Sequence, residues 1–264
     1  MPSLEITFLG TGTSQGVPAI GCDCAVCLSD DPRDNRTRTS VLVQADATSF
    51  VIDTTPEFRM QCLREKVKSI GAALFTHAHS DHIMGFDDMR RFCELEDREM
   101  PVYATSYTME QLRSNFYYAF DDPKPWKNYL RLDPHTITHN EPFRLGEMTI
   151  LPVALPHGKF TTTGYVISRF GRKLLAYFTD CSSVPEMALK AAQGVDVLVL
   201  DALRDTPHHT HMTFDQAIES ARGIFPISTY FTHMSHDVSH ASKEAELPAT
   251  MQLAYDGLKI RLGM

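Results

Sequence analysis

The sequence has no apolar run of about 18 residues, the length a membrane-crossing helix needs. It has no excess of positive charge: 25 Lys and Arg stand against 33 Asp and Glu, a formal net charge of −8. A large nucleic-acid footprint needs a basic surface, so that class of partner is disfavoured. Divalent ions would still make a site locally positive. The opening MPSLEITFLG lacks the basic start and long apolar stretch of a secretory signal, so none is expected. Repeats, low-complexity tracts and linker-like composition shifts are missing, and residues 1–264 read as one domain. Cysteine is scarce and uneven. Cys62, Cys93 and Cys181 stand singly and read as free thiols, whereas Cys22, Cys24 and Cys27 crowd into one loop, a spacing that suits a metal better than disulfides. A reducing, cytoplasmic setting is expected.

What is present is a succession of short apolar strands and helices. LEITFLG alternates, SVLVQA and SFVIDT read as two strands joined by a tight connection, and AALFT is a short apolar strand. Helical spacing covers Phe58 to Val67, Asp81 to Cys93 and Tyr107 to Tyr118, with the strand PVYA before the last. Residues 121–139 read as a loop, and the stretch 94–139 as a lid over the site. Its Tyr117, Tyr118 and Trp126 suit stacking on a base or ribose, or plain packing. MTILPVAL, GYVISRF and KLLAYFT follow as strands, then a helix over 184–192, the buried strand VDVLVLDAL, and a helix from Thr213, whose hydroxyl suits an N-cap. STYFT, a short helix and GLKIRL complete the pattern, which suits an α/β protein of two sheets with helices outside.

Residues 77–82 read His-Ala-His-Ser-Asp-His, four potential metal ligands directly after a short apolar strand. On an extended segment His77 and His79 point to one side and can chelate one ion. The turn into the next helix aims Asp81 and His82 at a second ion. Imidazole nitrogens and carboxylate oxygens suit zinc, manganese or iron. Two ions need further ligands. His157, Asp180 and His233 each follow an apolar strand, the place where sheet folds gather functional residues.

This order of motifs, His-x-His-x-Asp-His, then a lone His, a Thr-Asp and a late Thr-His, resembles the metallo-β-lactamase superfamily of hydrolases. The resemblance implies a four-layer αβ/βα sandwich. It implies one metal on His77, His79 and His157, a second on Asp81, His82 and His233, and Asp180 bridging both. Asp53, at the end of SFVIDT, matches the acidic residue that supports the ligands from behind, and such a carboxylate can fix an imidazole's tautomer.

Cys22, Cys24 and Cys27 supply three of the four ligands that a closed structural zinc needs. With His233 committed to the catalytic ions, His236 is the candidate for the fourth. The stretch Thr11-Gly12-Thr13-Ser14-Gln15-Gly16-Val17-Pro18, the cysteine loop and Thr232-His233-Met234-Ser235-His236 together resemble the phosphoribosyl cyclic phosphate phosphodiesterases of the bacterial carbon–phosphorus lyase pathway. Ribonuclease Z and the pyrroloquinoline quinone biosynthesis protein B share parts of the pattern and stand as alternatives.

The resemblance implies hydrolysis of small cyclic phosphates, of the ribosyl or 2′,3′-cyclic nucleotide type, by a metal-activated water. Asp81 would orient or deprotonate that water. His211, in the run Pro207-His208-His209-Thr210-His211, matches the catalytic histidine that protonates the leaving group. His208 and His209 read as surface residues, and Arg36 and Arg38 as a solvated pair. The expected partner is a small phosphodiester. No membrane contact is expected, and a homodimer is left open.

Overall fold

The computed structural model describes residues 3–46, 48–120 and 128–263. Trp126 lies outside them. Among the described residues no helix is long and apolar enough to cross a membrane. Contacts group the chain into two compact units: residues 1–9, 40–138 and 259–264 form the first, and residues 10–39 and 139–258 the second.

The first unit holds β1 (Ser3–Gly10), β2 (Ser40–Ala45), β3 (Thr48–Ile52), α1 (Phe58–Arg64), β4 (Ala72–Leu74), α2 (Ser80–Ile83), α3 (Arg90–Glu96), β5 (Met100–Thr105), α4 (Ser106–Asn115) and β6 (Leu132–Ile137). The second holds β7 (Phe143–Leu145), β8 (Met148–His157), β9 (Phe160–Arg169), β10 (Arg172–Phe178), α5 (Glu186–Ala192), β11 (Val197–Asp201), α6 (Phe214–Ile224), β12 (Ser228–Thr232), α7 (His240–Glu246) and β13 (Met251–Leu253). The final strand, β14 (Lys259–Gly263), returns to the first unit and pairs antiparallel with β1. Each unit carries one seven-stranded sheet, ordered β14-β1-β2-β3-β4-β5-β6 and β13-β12-β11-β10-β9-β8-β7. The α/β class with two sheets is thus the one that the sequence pattern leads to.

Direction within each sheet decides where functional residues can gather. β3, β4, β5 and β6 run parallel to one another, as do β10, β11, β12 and β13. β8 is antiparallel to β9, and β9 to β10, so β8 shares the direction of β10. The carboxyl ends of β3 and β4 therefore face one edge of the first sheet, and those of β8, β10, β11 and β12 one edge of the second. Parallel strands covered on both faces read as continuous apolar runs, and every residue of Val197–Asp201 is buried. Each unit has its own core. In the first, Phe58, Phe75, Phe86 and Phe92 pack together, with Phe75 and Phe86 edge-on at 5.0 Å. In the second, Phe178, Phe214 and Phe231 do so. Each fully buried side chain of this size contributes roughly 1.5–3 kcal/mol.

Two expectations are corrected. The helix read over 81–93 is broken into α2, a 3-10 turn over 86–89 and α3. Gly85 is the cause. Its N–H leaves the helix to donate to the Thr54 carbonyl, and a Cβ there would fall 1.9 Å from the Thr55 carbonyl oxygen. The loop read over 121–139 contains β6, paired parallel with β5. Pro134 and the exposed polar positions disguise it, but β6 ends the sheet, and an edge strand tolerates proline. Within the stretch read as a lid, β5, α4 and β6 are ordinary elements of the first unit. Tyr118 donates its hydroxyl to Asp87 at 2.7 Å, while Tyr117 is exposed.

Candidate metal centre

The first constellation hangs on Asp53. It follows β3 with φ at +64° and is fully buried. One carboxylate oxygen accepts the Thr76 backbone N–H at 2.8 Å. The other accepts the Thr76 hydroxyl at 2.8 Å and His82 Nδ1–H at 2.7 Å. Burial pushes this carboxyl up from its ordinary range, and the His82 imidazole with the Thr76 donors pulls it back. Because the single Thr76 hydroxyl proton goes to Asp53, the 2.9 Å contact between Thr76 Oγ1 and His77 Nδ1 is a bond donated by the imidazole. In a neutral ring that leaves the lone pair of His77 on Nε2, 2.9 Å from His79 Nδ1. His79 caps α2, which places Asp81 and His82 one turn on, with His82 Nε2 3.3 Å from Asp81 Oδ2. His77, Asp81 and His82 are buried.

The second constellation follows the same logic. A two-residue turn with Gly158 at φ +61° joins β8 to β9 and sets His157 at the sheet edge. His157 Nδ1 donates to the Thr210 carbonyl at 3.0 Å. Asp180 follows β10 with φ at +53° and accepts the Thr179 hydroxyl at 2.8 Å. His233 follows β12 with φ at +64°, its Nε2 3.2 Å from Asp180 Oδ1. The His211 ring stacks on the His233 ring at 4.5 Å and donates Nδ1–H to Asp201 at 2.7 Å. Donor atoms of His157, Asp180 and His211 lie within 4.8 Å of one another, as do those of Asp201, His211 and His233. Asp53, Asp180 and His233 all sit in the left-handed backbone region, which costs about 1–3 kcal/mol each and persists only where the surroundings hold it.

Both constellations suit divalent ions. His77, His82, His157 and His211 each commit Nδ1–H outward, to Thr76, Asp53, the Thr210 carbonyl and Asp201. In neutral rings of His77, His82 and His157 the lone pair is then on Nε2, and Asp81 stands beside His82 as Asp180 does beside His157. That is the donor chemistry of a borderline cation, with partners behind the ring that fix its tautomer. A third cluster lies in the second unit. The thiols of Cys22 and Cys24 stand 3.3 and 3.4 Å from His236 Nδ1, and with Cys27 all four donor atoms lie within 4.8 Å of one another. The Cys27 backbone N–H, and then His236, hold the Cys24 thiol down at about 6, while burial pushes Cys27 up to about 11.

The profile of the Beta-lactamase superfamily domain matches residues 48–234, which span both constellations. The chain belongs to the metallo-β-lactamase-fold superfamily. A solved diphosphatase of the PhnP family is similar to it at 42% identity, over 99% of this chain and 98% of that one, with a TM-score of 0.89. Zinc-bound PqqB from Methylobacterium extorquens shares the fold at 21% identity, over 97% and 99% of the two chains, with a TM-score of 0.79. A curated octanoyltransferase of Porphyromonas gingivalis is 34% identical over 260 residues, 97% of this chain and 51% of that protein. The chain thus spans about half the length of that relative.

Three features of this superfamily member escape a reading of the sequence. Asp201, which holds His211, ends the apolar strand β11 and obeys the strand-end rule that singles out Asp53 and Asp180. It also accepts the Cys181 backbone N–H at 2.8 Å. The Thr210 carbonyl behind His157 leaves no trace in the sequence, because any residue carries one. Arg36, expected to be solvated, is among the largest fully buried side chains of the described residues. It pairs with Asp34 at 2.8 Å and donates to the carbonyls of Ser235 at 3.0 Å and Val238 at 2.7 Å, anchoring the segment that bears His233 and His236. Arg38 donates to the Ser14 carbonyl at 2.8 Å.

Proposed function

We propose that the protein is a metal-dependent phosphodiesterase acting on small cyclic phosphates of the ribosyl or 2′,3′-cyclic nucleotide type. In this reading His77, His79 and His157 hold one divalent ion, zinc, manganese or iron. Asp81, His82 and His233 hold a second, and Asp180 serves both. Cys22, Cys24, Cys27 and His236 hold a structural zinc. The observation that carries the proposal is the commitment of the Nδ1 protons of His77, His82 and His157 to Thr76, Asp53 and the Thr210 carbonyl, which puts the lone pair of each neutral ring on Nε2. Similarity to a diphosphatase at 42% identity over nearly the whole chain supports phosphorus as the centre attacked. Six free thiols support a reducing, cytoplasmic setting.

Divalent ions held by these residues would supply acidification of a water and charge neutralisation on the phosphate. The chain's own groups do the rest. Asp81 orients the attacking water and accepts its proton. His211 gives the proton from Nε2 to the departing alkoxide, and the buried Asp201 carboxylate, 2.7 Å from Nδ1, stabilises the cationic ring that must exist beforehand. Asp53 keeps His82 in its ligating tautomer.

A substrate panel tests the proposal. Protein loaded with zinc or manganese is assayed on bis-p-nitrophenyl phosphate, a 2′,3′-cyclic nucleotide, a ribosyl 1,2-cyclic phosphate and precursor tRNA. Turnover of the small diesters with precursor tRNA left intact is expected. Flat rates on all three small diesters overturn the proposal, and cleavage of precursor tRNA alone favours a ribonuclease.

A further inference from the structure

The first unit holds a cavity of about 420 Å³ between α1 and α3, the size of a small-molecule site, and none of the proposed metal ligands lines it. Phe58 and Phe92 form its floor, both buried and set edge-on at 6.5 Å. Cys62 also lines it. Burial pushes that thiol up to about 12, so it stays protonated and acts as a small hydrophobe. Leu63 and Leu95 flank the mouth, 58% and 54% exposed. Single exposed leucines are ordinary, but two from different helices over one cavity make an uncovered apolar surface.

The rim is cationic, in a chain whose net charge is −8. Arg59, Lys68 and Arg91 stand around it, with Asp88 as the one acid. Glu94 engages Arg91 at 2.6 Å. Arg59 reaches the Met60 sulfur at 3.6 Å, and among the described residues no carboxylate lies within ion-pair distance of Arg59 or Lys68. Two cations therefore face one half-buried acid, whose carboxyl is pushed up by burial and then by Asp87. Such long side chains lay their stems along apolar surface and keep the charged head at the water. A fitting ligand has an apolar body and one negative end. The floor offers no hydrogen-bonding group stronger than a thiol, so a polar ring buried there would lose its bonds to water without replacement. A plain hydrocarbon chain loses nothing.

We propose that this cavity binds a medium-chain aliphatic carboxylate, with the chain against Phe58, Phe92, Leu63 and Leu95 and the carboxylate held by Arg59 and Lys68. The site shares no residue with the metal centre. Its occupation does not depend on the phosphodiesterase reading.

The test is a calorimetric titration of the metal-loaded protein with hexanoate, octanoate and decanoate, each below its micellar concentration. One saturable site per chain is expected, with affinity rising about tenfold for each two carbons buried. Decanol is expected to bind about fivefold more weakly than decanoate, and decylammonium more weakly still. Arg59 and Lys68 are exposed, so Arg59→Glu and Lys68→Glu should fold normally. Both should erase the advantage of decanoate over decanol and leave decanol binding unchanged. Leu63→Asn should weaken every alkyl ligand several-fold. Absence of saturable binding, or an affinity that ignores chain length, overturns the proposal. So does carboxylate binding indifferent to all three variants, which would place the ligand at the metals. Self-association, or binding to anionic lipid vesicles, that Leu63→Asn abolishes in a protein taking up no free carboxylate would give this face to a second copy or to a membrane, and overturns it too.

Discussion

His211→Ala is expected to slow hydrolysis of a 2′,3′-cyclic nucleotide by about 10²- to 10⁴-fold, the usual worth of a positioned acid. The same variant is expected to lose far less on bis-p-nitrophenyl phosphate, because p-nitrophenolate departs without a proton. The reason lies in one buried pair. Asp201 ends β11, is fully buried and accepts His211 Nδ1–H at 2.7 Å, so the charge it carries has the imidazole as its partner. Asp201→Asn keeps the shape, removes that charge and should repeat the leaving-group dependence with a smaller loss. Steady-state kcat/KM on both esters is the measurement. An equal loss on the two would show that His211 serves binding or metal ligation instead of proton transfer, since its donor atoms also approach His157 and Asp180.

Arg36→Met is expected to cost about 3–5 kcal/mol of stability, the price of leaving one member of a buried ion pair alone. Neither partner has access to solvent that could rescue it: the Arg36 side chain is 0% exposed and that of Asp34 4%. The guanidinium also ties down the carbonyls of Ser235 and Val238, so the variant should hold metal at the cysteine cluster less tightly. Denaturant unfolding of Arg36→Met, Asp34→Asn and the double variant closes a cycle. The double variant is expected to lose less than the two single losses added, because no unpaired charge remains. Strict additivity would contradict the pairing.

Much of this site is legible in the sequence, for a specific physical reason. A parallel strand is apolar throughout and stops at the sheet edge, so a polar residue just after it stands out against its neighbours. That contrast marks His77, Asp180 and His233. It marks Asp201 equally well, yet nothing local says that this carboxylate has a histidine ten residues on as its partner. The cysteine loop is legible because three thiols in one turn have few other uses, and the structure brings His236 to them from more than 200 positions away. Other features depend on packing that no window of sequence contains. Gly85 breaks its helix because of the Thr55 carbonyl, thirty residues earlier. Arg36 looks like any surface arginine until the carbonyls after His233 close over it. β6 carries a proline and exposed polar residues, and becomes a strand by pairing with β5.

Metal content per chain, measured together with turnover of a 2′,3′-cyclic nucleotide, bears most directly on whether imidazole and carboxylate donors hold the reacting ions. His79→Ala should lose metal and activity while retaining the ion at the cysteine cluster. Cys24→Ala should lose one zinc and stability while the protein that remains folded still turns substrate over. Equal metal content in wild type and both variants would contradict the account.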